Sequence, residues 1–183
     1  EKGLMISVFY QSPKSGEKIL NLQPLYLKIE NSKLKISLEK VNLQEIFDLS
    51  VAAVSNSEES RFNIEIQDGV NSVVANKDKL EQVVINVLEN ALKYSDEDTQ
   101  ISLTARKNRN NIIICVENKA DYIPKEVLSH LFEKFTRVDD KTTRETRGTG
   151  LGLYIVKGVV KAMNGEVAIY STQDRTFKIE IKL

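Results

Sequence analysis

Residues 86–94 read Asn-Val-Leu-Glu-Asn-Ala-Leu-Lys-Tyr (NVLENALKY), and the fold turns on how this stretch is read. Leu80, Val83, Val84, Val87, Leu88, Ala91 and Leu92 recur at helical spacing, so the pattern predicts a helix over about 78–94 with one apolar face. Asp78 and Glu81 have capping-box spacing and place its start. At roughly 100° per residue, Asn86, Asn90 and Lys93 form a row beside the apolar face, with Glu89 slightly further toward solvent. These side chains share a chemistry. An amide oxygen is a ligand for Mg²⁺, which takes few protein oxygens and completes its shell with water and phosphate. A lysine supplies a point charge to phosphate. A carboxylate beside them can hold a metal-bound water or orient a reacting group.

A second segment, 148–153 (GTGLGL), runs into an apolar-rich pattern that predicts a helix over 151–163, ended by Asn164-Gly165. Glycines at a helix start let backbone N–H groups close on an anion, and the helix dipole favours negative charge there. The turn follows a polar stretch instead of a strand, so it lacks the context of a dinucleotide-binding fingerprint, and the Walker lysine pattern is absent. Residues 133–147 (EKFTRVDDKTTRETR) hold only Phe135 and Val138 as large apolar residues. They read as a flap that could carry Lys134, Arg137, Arg144 or Arg147 onto a polyphosphate.

The rest of the chain supplies a sheet. Strands are predicted at 33–39, 61–67, 100–106, 111–117, 166–170 and 177–182, with further helices at about 42–55 and 124–132. Asp68-Gly69 marks a turn, and Asn108-Arg109-Asn110 marks an antiparallel hairpin. Helices beside a largely antiparallel sheet make a two-layer α+β domain. Residues 1–32 read in two ways, as a hairpin of alternating segments about Asn31-Ser32-Lys33 or as the end of a helix feeding into the domain.

Length and composition narrow the function. The 183 residues suit one domain with a short extra segment, and the 26 basic and 26 acidic residues cancel. That balance argues against duplex nucleic acid as a partner. Cys115 lies in the apolar run 112–116 (IIICV) and reads as a buried, reduced thiol. No apolar stretch reaches membrane-span length and no signal peptide opens the chain, so the expected setting is cytoplasmic, without membrane contact by this domain. A start at Glu1 is compatible with a fragment of a longer, membrane-anchored protein.

Taken in order, the motifs resemble the catalytic, ATP-binding domain of bacterial sensor histidine kinases, within the wider gyrase, Hsp90, histidine kinase and MutL (GHKL) ATPase group. The resemblance covers about residues 33–183. Residues 86–95 (NVLENALKYS) are similar to the N box, 131–135 (LFEKF) to the F box, 148–153 to the second glycine box, and 174–177 (DRTF) to the final turn and strand. The resemblance implies a two-layer α/β sandwich of the Bergerat type, a mixed, mostly antiparallel sheet packed on one helical layer, with ATP and Mg²⁺ bound between helix and lid. It implies that Asn90 ligates Mg²⁺, Asn86 contacts phosphates or metal, Glu89 assists through water, Lys93 meets phosphate and Tyr94 packs near adenine. Gly148, Gly150 and Gly152 would cradle phosphates, with Thr149, Leu151 and Leu153 beside them. Ile123, Phe135, Arg137 and Thr176 complete the expected ATP contacts.

Two departures qualify the likeness. The first glycine box commonly reads Asp-x-Gly-x-Gly, with the aspartate accepting from the adenine amino group. Residues 116–124 (VENKADYIP) put Asn118 at that position, with Ala120 and Tyr122 for the glycines. An amide oxygen accepts the same bond more weakly than a carboxylate. The only histidine, His130, sits within the F-box region, so the chain lacks the family's phosphoacceptor and does not phosphorylate itself in the family's manner. The expected activity is therefore that of a protein histidine kinase's catalytic domain, transferring the γ-phosphoryl to a histidine on a separate dimerisation domain, with a response regulator downstream. A nucleotide-sensing pseudokinase or docking module stands as the first alternative. A related ATPase, such as an ATP-driven clamp or an anti-sigma serine kinase, is the second. Residues 1–32 are expected to be either an unassigned N-terminal segment or, over residues 17–32, the stub of a preceding helical domain.

Overall fold

The computed structural model describes residues 28–29, 34–55, 59–134 and 150–183. In chain order the elements are β1 (Glu39–Asn42), α1 (Leu43–Ser55), a short 3₁₀ turn (Glu59–Arg61), β2 (Phe62–Ile66), β3 (Ser72–Ala75), α2 (Lys77–Tyr94), β4 (Ile101–Asn108), β5 (Asn111–Lys119), α3 (Lys125–Leu128), α4 (Gly152–Ala162), β6 (Glu166–Ser171) and β7 (Thr176–Lys182). Five strands form one sheet in the order β2-β4-β5-β7-β6. Only β2 and β4 are parallel; the other pairs are antiparallel. β1 and β3 make a separate antiparallel pair. Helices α1, α2 and α4 pack side by side, which is the expected α+β architecture.

Period-two alternation decides what the sheet presents. On β4, Ile101, Leu103 and Ala105 are buried while Arg106, Lys107 and Asn108 are exposed. Leu103 pairs with Val116 on β5, and Val116 pairs with Ile179 on β7, so one apolar row crosses three strands. Helical spacing supplies the opposing surface: Leu80, Val83, Val87 and Leu88 of α2 meet Phe47 of α1 and Ile155 and Val159 of α4 in one buried cluster. Each such side chain contributes about 1.5–3 kcal/mol when fully removed from water.

The other face of β5 carries Cys115, buried and paired in register with Thr104 and Glu180. Burial, and then the Glu180 carboxylate, push the Cys115 thiol up to about 11. The thiol is therefore neutral at ordinary pH and a poor nucleophile, as its apolar setting in the sequence suggested.

Several expected boundaries moved, each for a physical reason. Helix α2 starts at Lys77, because the Asn76 side chain accepts the Lys79 N–H at 3.1 Å. Asn76 is the cap, and the Asp78–Glu81 box is not used for that purpose. Residues 34–38 are irregular instead of a strand, since β3 is only four residues long and pairs with 39–42 alone. Their alternation reflects packing: Leu34 and Ile36 lie against the core. The strand β3 itself was not foreseen. The helix expected over 124–132 shrinks to Lys125–Leu128, where Ser129 Oγ turns back to donate to the Glu126 carbonyl at 2.7 Å and successive i to i+3 bonds replace the helix.

Turns behave as their residues require. Gly69 has φ +80 in the turn closed by the Val70 N–H on the Gln67 carbonyl. Helix α4 ends with Asn164 at φ 61, its N–H on the Lys161 carbonyl and the Gly165 N–H on the Val160 carbonyl, a Schellman arrangement. A Cβ on Gly165 would stand 2.6 Å from the Lys182 carbonyl oxygen. The backbone of β7 therefore passes directly over this helix cap. Gly165→Ala should lower unfolding free energy by about 1–3 kcal/mol, measured by urea denaturation; an unchanged midpoint would show that the cap and strand can separate freely.

Candidate active site

The site is assembled by three elements that meet at one end of the sheet. Helix α2 contributes Asn86, Glu89, Asn90 and Lys93. Asn86 is 6% exposed, and its Nδ2 is buried without a hydrogen-bond partner. Among the described residues only Ser50 Oγ, on α1, shares that condition. Asn86 thus lies deeper than a position beside the core face. Glu89, Asn90 and Lys93 are half-buried, and Tyr94 is exposed with Lys93 Nζ 4.8 Å from its ring centroid. That placement gives Tyr94 a cation–π contact at the end of the helix.

The second element is the glycine turn. Gly150 takes φ +68, a left-handed conformation that glycine adopts without a Cβ penalty. Leu151 is buried, Leu153 packs against the core, and no side-chain cap closes the first turn of α4. A Cβ placed on Gly152 would lie 4.0 Å from Asn90 Nδ2. The start of α4 and the asparagine row of α2 therefore face each other at van der Waals range. The segment entering the charged stretch is beside them: Lys134 Nζ lies 5.8 Å from the Tyr154 ring and Lys157 Nζ 5.5 Å from the Phe132 ring. Phe135, Arg137, Arg144, Arg147, Gly148 and Thr149 lie outside the described residues.

The third element is the exit of β5. Asn118 is 4% exposed, and its Nδ2 donates to the Lys119 carbonyl at 3.3 Å. That bond uses one of the two amide N–H groups and fixes the amide plane, with Oδ1 as its acceptor atom. Ala120 is buried and donates its N–H to the Arg175 carbonyl at 3.0 Å. Ile123 is half-buried and held by its N–H on Ser171 Oγ at 2.9 Å. Tyr122 is exposed, so the bulk that replaces a glycine is accommodated at the surface.

Thr176 is placed differently from the others. It pairs with Lys119 while Phe177 pairs with Asn118, so alternation puts its side chain on the opposite sheet face from Asn118. Its hydroxyl accepts from Lys119 Nζ at 2.9 Å and donates to Asp174 Oδ2 at 3.1 Å. The Thr172 and Thr176 hydroxyls hold the Asp174 carboxyl below the usual carboxylate range. The Thr176 side chain is therefore engaged in the β6–β7 turn.

Long-range contacts that no local pattern announced support the site. Arg61 Nη2 donates to Ser95 Oγ at 2.6 Å and to the Asp96 carbonyl at 3.0 Å, and its Nε to the Thr99 carbonyl at 3.2 Å. It fastens the loop that follows α2. The partners lie 34 to 38 residues away in sequence, which is why spacing alone gives no hint of them.

A family model described as histidine kinase-, DNA gyrase B-, and HSP90-like ATPase matches residues 75–183, which include all three elements. The chain belongs to this ATPase family. Sensor protein DltS of Streptococcus agalactiae serotype III (strain NEM316) is 28% identical over 171 residues, covering 91% of this chain and 41% of the relative. Sensor-like histidine kinase SenX3 of Mycolicibacterium smegmatis is 38% identical over 99 residues, covering 54% of this chain and 26% of the relative. The chain spans less than half the length of these curated relatives. Among solved structures, a mycobacterial sensor histidine kinase, MprB, superimposes with a TM-score of 0.67 at 26% identity, over 80% of this chain and 97% of that one. Within the ATPase family, then, the chain is similar to the sensor histidine kinases.

Asn86 offers a test of the site that separates stability from binding. Replacing it with leucine removes a buried unpaired amide, so Asn86→Leu should leave the free domain as stable or more stable, by up to about 2 kcal/mol. Nucleotide affinity should fall at least tenfold in the same variant, read by calorimetric titration with ATP. A variant that loses stability while binding ATP normally would show that Asn86 serves packing alone.

Proposed function

We propose that this domain binds Mg·ATP between α2 and α4 and passes the γ-phosphoryl to a histidine on a separate dimerisation domain of the same protein, from which a response regulator takes it. The observation that carries this reading is the approach of Gly152 to Asn90, which sets backbone N–H groups at a helix start against an amide row. Asn86 Nδ2, buried and unpaired, suits a phosphate oxygen. Asn90 Oδ1 suits the metal, and Lys93 suits a phosphate. Among the described residues, no group of three or more His, Cys, Asp or Glu side chains could hold an ion. The donor set fits Mg²⁺, which takes one or two protein oxygens and completes its shell with phosphates and water. When bound, Mg²⁺ would neutralise charge on the transferring phosphoryl.

The residues of the chain then act mainly by positioning, which is where phosphoryl transfer gains most of its rate. Glu89 would orient a water or the incoming group. Asn118 Oδ1 would accept from the adenine amino group, and Tyr94 and Ile123 would flank the base. Gly148, Thr149, Phe135 and Arg137 would complete the enclosure. The catalytic unit would span residues 33–183, with residues 1–32 a separate N-terminal segment or the stub of a preceding domain. Lys28 and Ile29 are helical, and Ile29 packs so closely on α4 that a Cβ on Gly158 would meet its Cγ2 at 2.7 Å. No helix among the described residues is long and apolar enough to cross a membrane.

A second reading, a nucleotide-binding module without transfer, is favoured by one feature: an amide stands at position 118 where a carboxylate would bind adenine more strongly. The two readings part in a transfer assay. With γ-labelled ATP, Mg²⁺ and the cognate dimerisation domain, phosphohistidine should accumulate. Its absence under conditions where ATP demonstrably binds would remove the kinase reading and leave the binding module.

Two substitutions test the assignments. Asn90→Ala should abolish the Mg²⁺ dependence of ATP binding while the thermal midpoint stays within a few degrees; identical titrations with and without Mg²⁺ in the parent chain would refute the metal role. Asn118→Asp should raise ATP affinity over GTP by roughly tenfold, the gain expected from a charge-assisted hydrogen bond. An unchanged ratio would take residue 118 out of the base pocket.

A further inference from the structure

We infer that Arg175 is a positioning residue for base recognition, acting through the strut that orients Asn118. The inference rests on the reading that Asn118 holds the adenine. It begins with a conflict in the β6–β7 turn. The Arg175 N–H donates to the Thr172 carbonyl and the Thr172 N–H to the Thr176 carbonyl, both at 3.0 Å. This closure places residue 175 at φ +64, a left-handed conformation that glycine or asparagine takes with little strain and arginine does not. A large cationic side chain at such a position is unexplained by the turn itself.

Its contacts supply the explanation. One guanidinium nitrogen, Nη2, donates to Asp96 Oδ1 at 2.8 Å and to Asp121 Oδ1 at 3.1 Å. Asp96 belongs to the loop after α2, and its N–H donates to the Lys119 carbonyl at 3.0 Å. That carbonyl is the acceptor for Asn118 Nδ2. On the other side, the Arg175 carbonyl takes the Ala120 N–H at 3.0 Å. Arg175 therefore grips residues 120 and 121 directly, and residue 119 through Asp96. The amide of Asn118 is turned by the carbonyl at the centre of this grip, with Nδ2 on that carbonyl and Oδ1 as its acceptor atom. Arg61 fastens the same loop through the Asp96 and Thr99 carbonyls.

Exposed ion pairs contribute little individually, so the effect belongs on orientation and selectivity and not on folding. Arg175→Gly relieves the left-handed strain and keeps the main-chain bonds of the turn, while removing the guanidinium. In the 183-residue chain, its thermal midpoint should be unchanged or higher. Its ATP dissociation constant should rise roughly threefold to tenfold, the range open to two weak ion pairs, and its preference for ATP over GTP should fall toward that of Asn118→Ala. Arg175→Lys, with one charge of shorter reach, should lie between. Asp121→Asn, at a largely exposed side chain, repeats the test without touching the turn and should lose part of the preference. If Asn118→Ala loses the preference while Arg175→Gly and Asp121→Asn both keep it, the positioning role is overturned and the base reading stands. If Asn118→Ala itself keeps the preference, the base reading fails and this inference with it.

Discussion

A buried amide nitrogen without a partner is the constraint around which this domain is arranged. Asn86 sits within the most buried stretch of α2, flanked by Val83, Val84, Val87 and Leu88, and its Nδ2 makes no hydrogen bond. Leaving such a group unsatisfied costs about 1–3 kcal/mol. The helix accepts that cost because the same spacing that buries Leu80, Val87 and Ala91 against the sheet must carry Asn86 and Asn90 along its edge. Amphipathic periodicity and the proposed ligand chemistry share one helix, and Asn86 is where they overlap.

The rest of the site follows from closing on that edge. Helix α4 approaches at Gly152, where the missing side chain leaves the Asn90 amide uncovered. β5 reaches the same end of the sheet and presents Asn118, whose amide is turned by the backbone of Lys119. Neither the glycine turn nor the strand carries much ionic chemistry. Positive charge is supplied by Lys93 beneath Tyr94 and by Lys134 and Lys157 against the Phe132 and Tyr154 rings. Contacts of this kind hold the cations near the site through the ring quadrupole.

Much of the fold was legible because its core is periodic. The helices α1, α2 and α4, the β4–β5 hairpin and the final pair of strands follow from apolar spacing and turn residues. Where a local pattern had two physical causes, the reading slipped. Leu34 and Ile36 alternate like a strand but only pack, because β3 offers no backbone partner beyond residue 39. Ser129 resembles a helical residue until its hydroxyl turns back on Glu126. In the site, residue types marked Asn86, Asn90 and the glycines as candidates, and the structure brings Asn90 and Gly152 together. Burial of Asn86, the sheet face of Thr176 and the reach of Arg61 and Arg175 are tertiary facts. Each depends on segments 30 or more residues apart, and no window of sequence contains both partners.

The single parallel pairing in the sheet bears on how the molecule is made. The hairpins β4–β5 and β6–β7 close short loops, whereas β2 can join β4 only after β3 and α2 have crossed between them. Loop closure over that distance is slower and entropically more demanding. The asparagine helix is itself the crossover, so Asn86 and Asn90 take their positions with a long-range pairing and not with the local hairpins. A nucleotide that needs them recognises only the finished chain. Its binding free energy accordingly adds to the stability of the whole sheet by mass action.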